Sequence, residues 1–144
     1  AMSSAASDVY KRQLHARSVG DFQTDKARDA ALAMFSGDDI PDAVFVSNDH
    51  MAFSVMDTLR FELELRVPED VSVVGYDDVL AASWRGYDLT TVRQPAGQMV
   101  DETVDILLAQ IEGGNITPRR IEIDGPLVVR SSARCAISTK GSVR

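Results

Sequence analysis

The chain is 144 residues long, with 22 acidic against 15 basic side chains and a formal net charge of -7. That length builds one core but not two lobes of ordinary size, and the acidic balance provides no long-range field that would draw this piece toward nucleic acid or anionic lipid. The single cysteine, Cys135, excludes a disulfide framework and suits a reducing cytosol. No run approaches the roughly 18 apolar residues of a membrane helix, and no charged segment followed by an apolar one opens the chain as an export signal.

In chain order, Ser3 to Gln13 read SSAASDVYKRQ, which coincides residue for residue with the translation of a widely used transposon sequencing adapter. Residues 1–13 are therefore expected to be foreign to the fold and disordered, with the natural reading frame cut near Leu14. Residues 14–137 are read as the domain and residues 138–144 as a frayed polar tail.

Thr24 to Phe35 puts Ala27, Ala31, Met34 and Phe35 on one helical face, with Thr24 as N-cap and Gly37 as terminator. Asp42 to Ser47 carries the run Ala43, Val44, Phe45, Val46, too short for a helix and suited to a strand covered on both faces. His50 to Leu63 spaces Ala52, Val55, Met56, Leu59 and Leu63 as a helix capped by Asn48 or Asp49. Val71 to Tyr76 is a valine-rich strand ended by Asp77-Asp78.

That β-α-β alternation implies a right-handed crossover in a parallel sheet, whose ligands bind beyond the strands' carboxyl ends. Asn48, Asp49, Asp77 and Asp78 all fall there. Leu89 to Arg93 is a further short strand, and Pro95 opens a helix lined by Val100, Val104, Leu107, Leu108 and Ile111 and ended by Gly113-Gly114. Arg120 to Ile123 and Leu127 to Arg130 are β-rich.

No GxGxxG, Walker loop, HExxH, CxxC or GxSxG occurs, which points away from an enzyme and from a resident cofactor. His15 and His50 are not spaced as a metal pair, and no metal is assigned. Asp77-Asp78 could in principle hold Mg²⁺ as a phosphoacceptor pocket, but the other residues of such a pocket are missing. A carboxylate at a strand tip can instead accept two hydroxyl hydrogen bonds from a sugar or two N–H bonds from a base, and Asn48 and Gln94 add donors and acceptors.

Four blocks, PDAVFVSNDHMAF, LRVPEDVSVVGYDD, LTTVRQP and LVVRSSAR, in this order and spacing, resemble the LacI/GalR transcriptional repressors over about Gly20 to Arg134. The resemblance implies an α/β, parallel-sheet, three-layer αβα fold of the type I periplasmic-binding-protein-like kind, mainly its C-terminal subdomain. It further implies a cytoplasmic repressor that binds operator DNA only as the full-length protein, acts as a homodimer, and responds to a small effector such as a sugar or nucleoside. The same fold also serves sugar-binding proteins of transport systems, the alternative function.

Carried over by motif, GDF places Phe22 against the effector, SND places Asn48 and Asp49 at the cleft wall, GYDD makes Asp77 the main effector carboxylate, and LTTVRQP brings Gln94 near the ligand. Asp78 is expected to cap backbone amides. Each has a plainer reading: Phe22 as core filler, Asn48 or Asp49 as a helix cap, Asp77 as a turn former. Trp84 stands open between effector pocket, interface and core. Val55, Met56 and Leu59 match the family's dimer-contact helix, although the same stripe could face this domain's own sheet. In the family the helix over residues 96–112 packs in the first subdomain; with that partner lost here, its stripe is expected to make the chain dimerise or swap that helix between copies.

Overall fold

A computed structural model describes residues 14–113 and 120–134; the expectations for residues 1–13, Cys135 and residues 138–144 lie outside the described residues. The elements are helix α1 (Thr24–Phe35), strand β1 (Ala43–Phe45), helix α2 (Asp49–Asp57) continued by a π-helical turn (Thr58–Glu62), strand β2 (Ser72–Asp77), a 3-10 turn (Leu80–Ser83), strand β3 (Thr90–Arg93), helix α3 (Ala96–Ile111) and strand β4 (Leu127–Val128). The sheet runs β1-β2-β3-β4. Its first three strands are parallel, in the register Phe45 to Val74 and Val74 to Thr90, and β4 is antiparallel to β3. The sheet is therefore mixed rather than wholly parallel.

Strand alternation decides where the core sits. Val71, Val73 and Leu89 point to one face and are fully buried, as are Ala52, Met56 and Leu59 of α2 and its π turn. Removing each large aliphatic side chain from water is worth about 1.5–3 kcal/mol. Ala27, Ala31 and Phe35 bring α1 into the same cluster, with Met34 partly buried beside it. On the opposite face Phe45, Tyr76 and Leu127 are exposed, while Ser72 and Thr90 are buried beside the Ser132–Arg134 segment; among the described residues helices cover one side of the sheet, and two of the expected three layers are present. The reading of β1 is corrected: it is a three-residue strand at the sheet's edge, paired among the described residues with β2 alone, and its Phe45 face is open.

Three other expectations are corrected. Val55, Met56 and Leu59 are buried in this chain's own core, because the stripe at i, i+1 and i+4 is the one α2 turns inward; they are not available as a dimer contact. The N-cap of α1 is Gln23, with no side-chain cap bond, rather than Thr24, since the chain already enters the helix where the Gln23 carbonyl accepts from Ala27 N–H at 3.0 Å. Arg120 to Ile123 forms no strand. Only Leu127 and Val128 reach the ladder of β3.

α3 buries none of its residues, and Val100, Val104, Leu107, Leu108 and Ile111 are all exposed. The apolar stripe read from the sequence is present and has no partner among the described residues.

Candidate ligand site at the strand tips

The carboxyl ends of β1, β2 and β3 lie side by side, and Asp49 joins them from below. Its side chain is wholly buried. Oδ1 accepts from the Thr91 hydroxyl at 2.6 Å and Oδ2 accepts from Val79 N–H at 2.9 Å. Gly75 leaves room for this carboxylate: a Cβ there would collide with Asp49 Oδ1 and stand 2.9 Å from Leu89 Cδ2. The motifs SND, GYDD and LTTV thus meet at one buried group. Both oxygens of Asp49 are committed within the chain, which corrects its placement at the cleft wall: it is the brace beneath the site.

Asn48 ends the β1 segment and caps α2, its Oδ1 accepting from Met51 N–H at 2.8 Å. The cap satisfies one of the orphan donors of the first turn and leaves the side-chain NH2 as what Asn48 can offer a ligand. Asp77 ends β2 half-buried, and its Oδ1 accepts from Gln94 Nε2. The Gln94 N–H also donates to the Asp77 carbonyl at 3.3 Å. A carboxylate and a carboxamide from adjacent strand ends therefore already face each other.

The backbone here is unusual. Asp77 has φ 128° and Asp78 φ 58°, two consecutive non-glycine residues in a region that costs about 1–3 kcal/mol each and persists only where neighbours over-determine it. Asp78 has such neighbours: Oδ2 accepts from Arg93 Nε and Oδ1 from Arg130 Nη2, both at 2.6 Å. Burial alone would raise the Asp78 carboxyl; the hydrogen bonds from Arg130 and Arg93, with their charges, outweigh it and hold the pKa below the ordinary carboxylate value. Asp78 therefore grips two guanidiniums rather than capping amides, and the Asp77-Asp78 pair is not an open carboxylate pair for Mg²⁺. Among the described residues no group of three or more His, Cys, Asp or Glu side chains could hold a metal ion.

Phe22 is 76% exposed at φ 57°. Its loop lies by the first turn of α2, because Gly20 sits so close that a Cβ would stand 2.6 Å from Met51 Sδ. Phe22 thus shares the end of the sheet that holds Asn48. Trp84 does not. Its turn runs back to the start of β3 through Leu89 N–H to the Ala82 carbonyl, and the neighbouring Gly86 and Tyr87 touch Arg60 and Asp57 at the far end of α2. The effector-site reading of Trp84 is corrected accordingly; no periodicity could have told which end of the sheet this loop reaches.

Sequence reasoning missed Thr91, Arg93, Arg130 and Ser132. Ser132 is buried, donating to the Val73 carbonyl and accepting from Thr90 N–H, both at 2.7 Å, so the block LVVRSSAR closes the sheet where β2 and β3 diverge. The signal available was the pair of arginines, in LTTVRQP and LVVRSSAR, that follow the double aspartate.

The profile of the family described as periplasmic binding protein-like domain matches residues 2–133. The chain belongs to that family. The ribose operon repressor of Escherichia coli (strain K12) is 36% identical over 115 residues, covering 80% of this chain and 34% of the relative. The transcriptional repressor PurR of Vibrio vulnificus (strain CMCP6) is 39% identical over the same length and shares. In solved structures, the transcriptional regulator CelR in complex with cellobiose superposes with a TM-score of 0.80 at 33% identity, over 90% of this chain and 40% of that one. The lac repressor dimer bound to operator and the anti-inducer ONPF gives 0.80 at 29% identity, over 91% and 45%.

These relatives bear out the likeness to LacI/GalR regulators and the periplasmic-binding-protein-like fold, and they favour the regulator over the transport protein. The chain spans about a third of the length of the curated relatives it matches. No helix among the described residues is long and apolar enough to cross a membrane.

Proposed function

We propose that this chain is the effector-binding and dimerising part of a cytoplasmic LacI-type repressor, with Asp77 as the effector anchor, Gln94 and Asn48 as its polar partners and Phe22 as an aromatic wall. The Asp77–Gln94 pair at the tips of two parallel strands carries this reading. A carboxylate and an amide that already hydrogen-bond each other can exchange that bond for the hydroxyls of a sugar or the N–H edge of a base. A relative named for the ribose operon and another in complex with cellobiose make a sugar the first class to try. Operator reading belongs to the full-length protein, since the net charge of -7 gives this chain no long-range attraction to phosphates.

In the full-length protein, Asp77→Ala is expected to abolish the response to effector in an operator-release assay while operator affinity stays unchanged. Unchanged response removes Asp77 from the site. For the 144-residue chain, the stripe of α3 drives homodimerisation, with α3 exchanged between copies. Light scattering that finds a stable monomer from dilute to concentrated samples rejects this.

A further inference from the structure

We infer that Asp78 is a positioning residue that clamps the neck of the excursion the chain makes from its sheet between Arg93 and Leu127. The chain leaves β3 after Arg93, passes through Gln94 and α3, and returns to the sheet at β4. α3 buries none of its residues among those described, so packing along its length contributes little to how it stands. The constraint lies in the neck.

Part of that neck is backbone. Arg93 N–H donates to the Pro126 carbonyl at 2.9 Å, and the returning chain passes so close at Gly125 that a Cβ would stand 2.6 Å from the Arg93 carbonyl oxygen. A two-residue strand is a weak tether on its own. Asp78 adds a charged one. Its carboxylate reaches Arg93, the last residue before departure, and Arg130, just after the return, at 2.6 Å each. Arg130 is held in turn: Nη1 donates to the Leu89 carbonyl at 2.7 Å and its N–H donates to Thr90 Oγ1 at 2.9 Å. The Asp78 and Arg130 side chains are 5% and 14% exposed. Water screens this tie far less than the open Arg66–Asp70 pair elsewhere on the surface.

Gln94 directly follows Arg93, and Asp77 directly precedes Asp78. One peptide bond on each side therefore links the clamp to the Asp77–Gln94 pair, so the two neighbouring aspartates divide the work: Asp78 keeps the stems together while Asp77 remains exchangeable. This needs no ligand and goes beyond the effector reading, so either can fail alone.

Amide hydrogen exchange followed by NMR on the 144-residue chain tests it. Asp78→Ala is expected to speed exchange at the neck amides of Arg93 and Gln94 by about tenfold relative to the core amides of Leu59 and Val73. It should also move the Gln94 side-chain NH2 resonances toward those of a free carboxamide. Arg93→Gln, which removes only the exposed arm, gives a smaller acceleration at the same amides, and Arg66→Gln gives none. The inference is overturned if the neck-to-core ratio and the Gln94 resonances stay as in the parent, or if neck and core accelerate by one common factor. Should Asp78→Ala not fold, Arg93→Gln against Arg66→Gln decides on the same amides.

Discussion

The floor of the strand-tip site and helix α3 are both apolar by sequence, yet they end in opposite situations. The floor has Asp49 wholly buried with both oxygens bonded, over a core of Leu59, Met56, Val73 and Leu89. α3 has a longer run of aliphatic residues and buries none of them. An amphipathic pattern states that a face needs a partner; whether the partner is present depends on what else the chain brings to that place. The floor is where three sequence blocks converge, whereas α3 is reached through a narrow neck and buries none of its residues among those described.

Truncation should separate the two regions most sharply. Leu59→Ala is expected to cost about 2–5 kcal/mol in urea unfolding, a transfer loss plus a cavity, whereas Leu107→Ala in α3 at high dilution should stay within about 0.5 kcal/mol. Equal losses would show α3 to be buried after all. Next in size, Gly75→Ala should cost about 1–3 kcal/mol by forcing a methyl against Asp49 and Leu89. A neutral result would mean that Asp49 can swing away, and the floor would lose its rigidity in the comparison.

A smaller effect concerns pH. The folded pKa of Asp78 lies below its unfolded value, so the unfolded state binds the proton more tightly and the group stabilises the fold above the unfolded pKa. This contribution is lost as pH falls through the lower, folded pKa. Asp78→Asn should therefore weaken the chain at neutral pH and converge with the parent under acid conditions. An equal gap at every pH would assign the effect to packing rather than charge. Asp70, half-buried and held down to about 2 by hydrogen bonds from the exposed Arg66 side chain and backbone, offers a reference: Asp70→Asn should alter stability less because water screens its partner.

Much of the frame was legible from spacing. α1 falls on Thr24–Phe35 as read, and the α2 stripe Ala52, Val55, Met56, Leu59 is the buried one. Helical periodicity reports burial directly, because a side chain every third or fourth position shares one face. The same logic could not tell a core from a dimer contact, and Val55, Met56 and Leu59 went to the core. Strand-end positions were legible where a motif ended a strand: Asn48 follows β1, Asp77 ends β2, and Gln94 follows β3 and bonds Asp77. Trp84 was not, because a loop's destination leaves no period in the sequence.

By itself, then, the sequence determined the alternation of strand and helix, the aspartates at the strand tips and the family, since all three rest on local spacing and residue type. Only the tertiary structure decided that Asp49 is sealed beneath the strand tips while Asp77 bonds Gln94 at them, that Asp78 joins Arg93 to Arg130, the latter 52 positions from it along the chain, and that the stripe of α3 stands uncovered among the described residues. Those are facts about which distant side chains arrive at one point, and the chain's topology sets them.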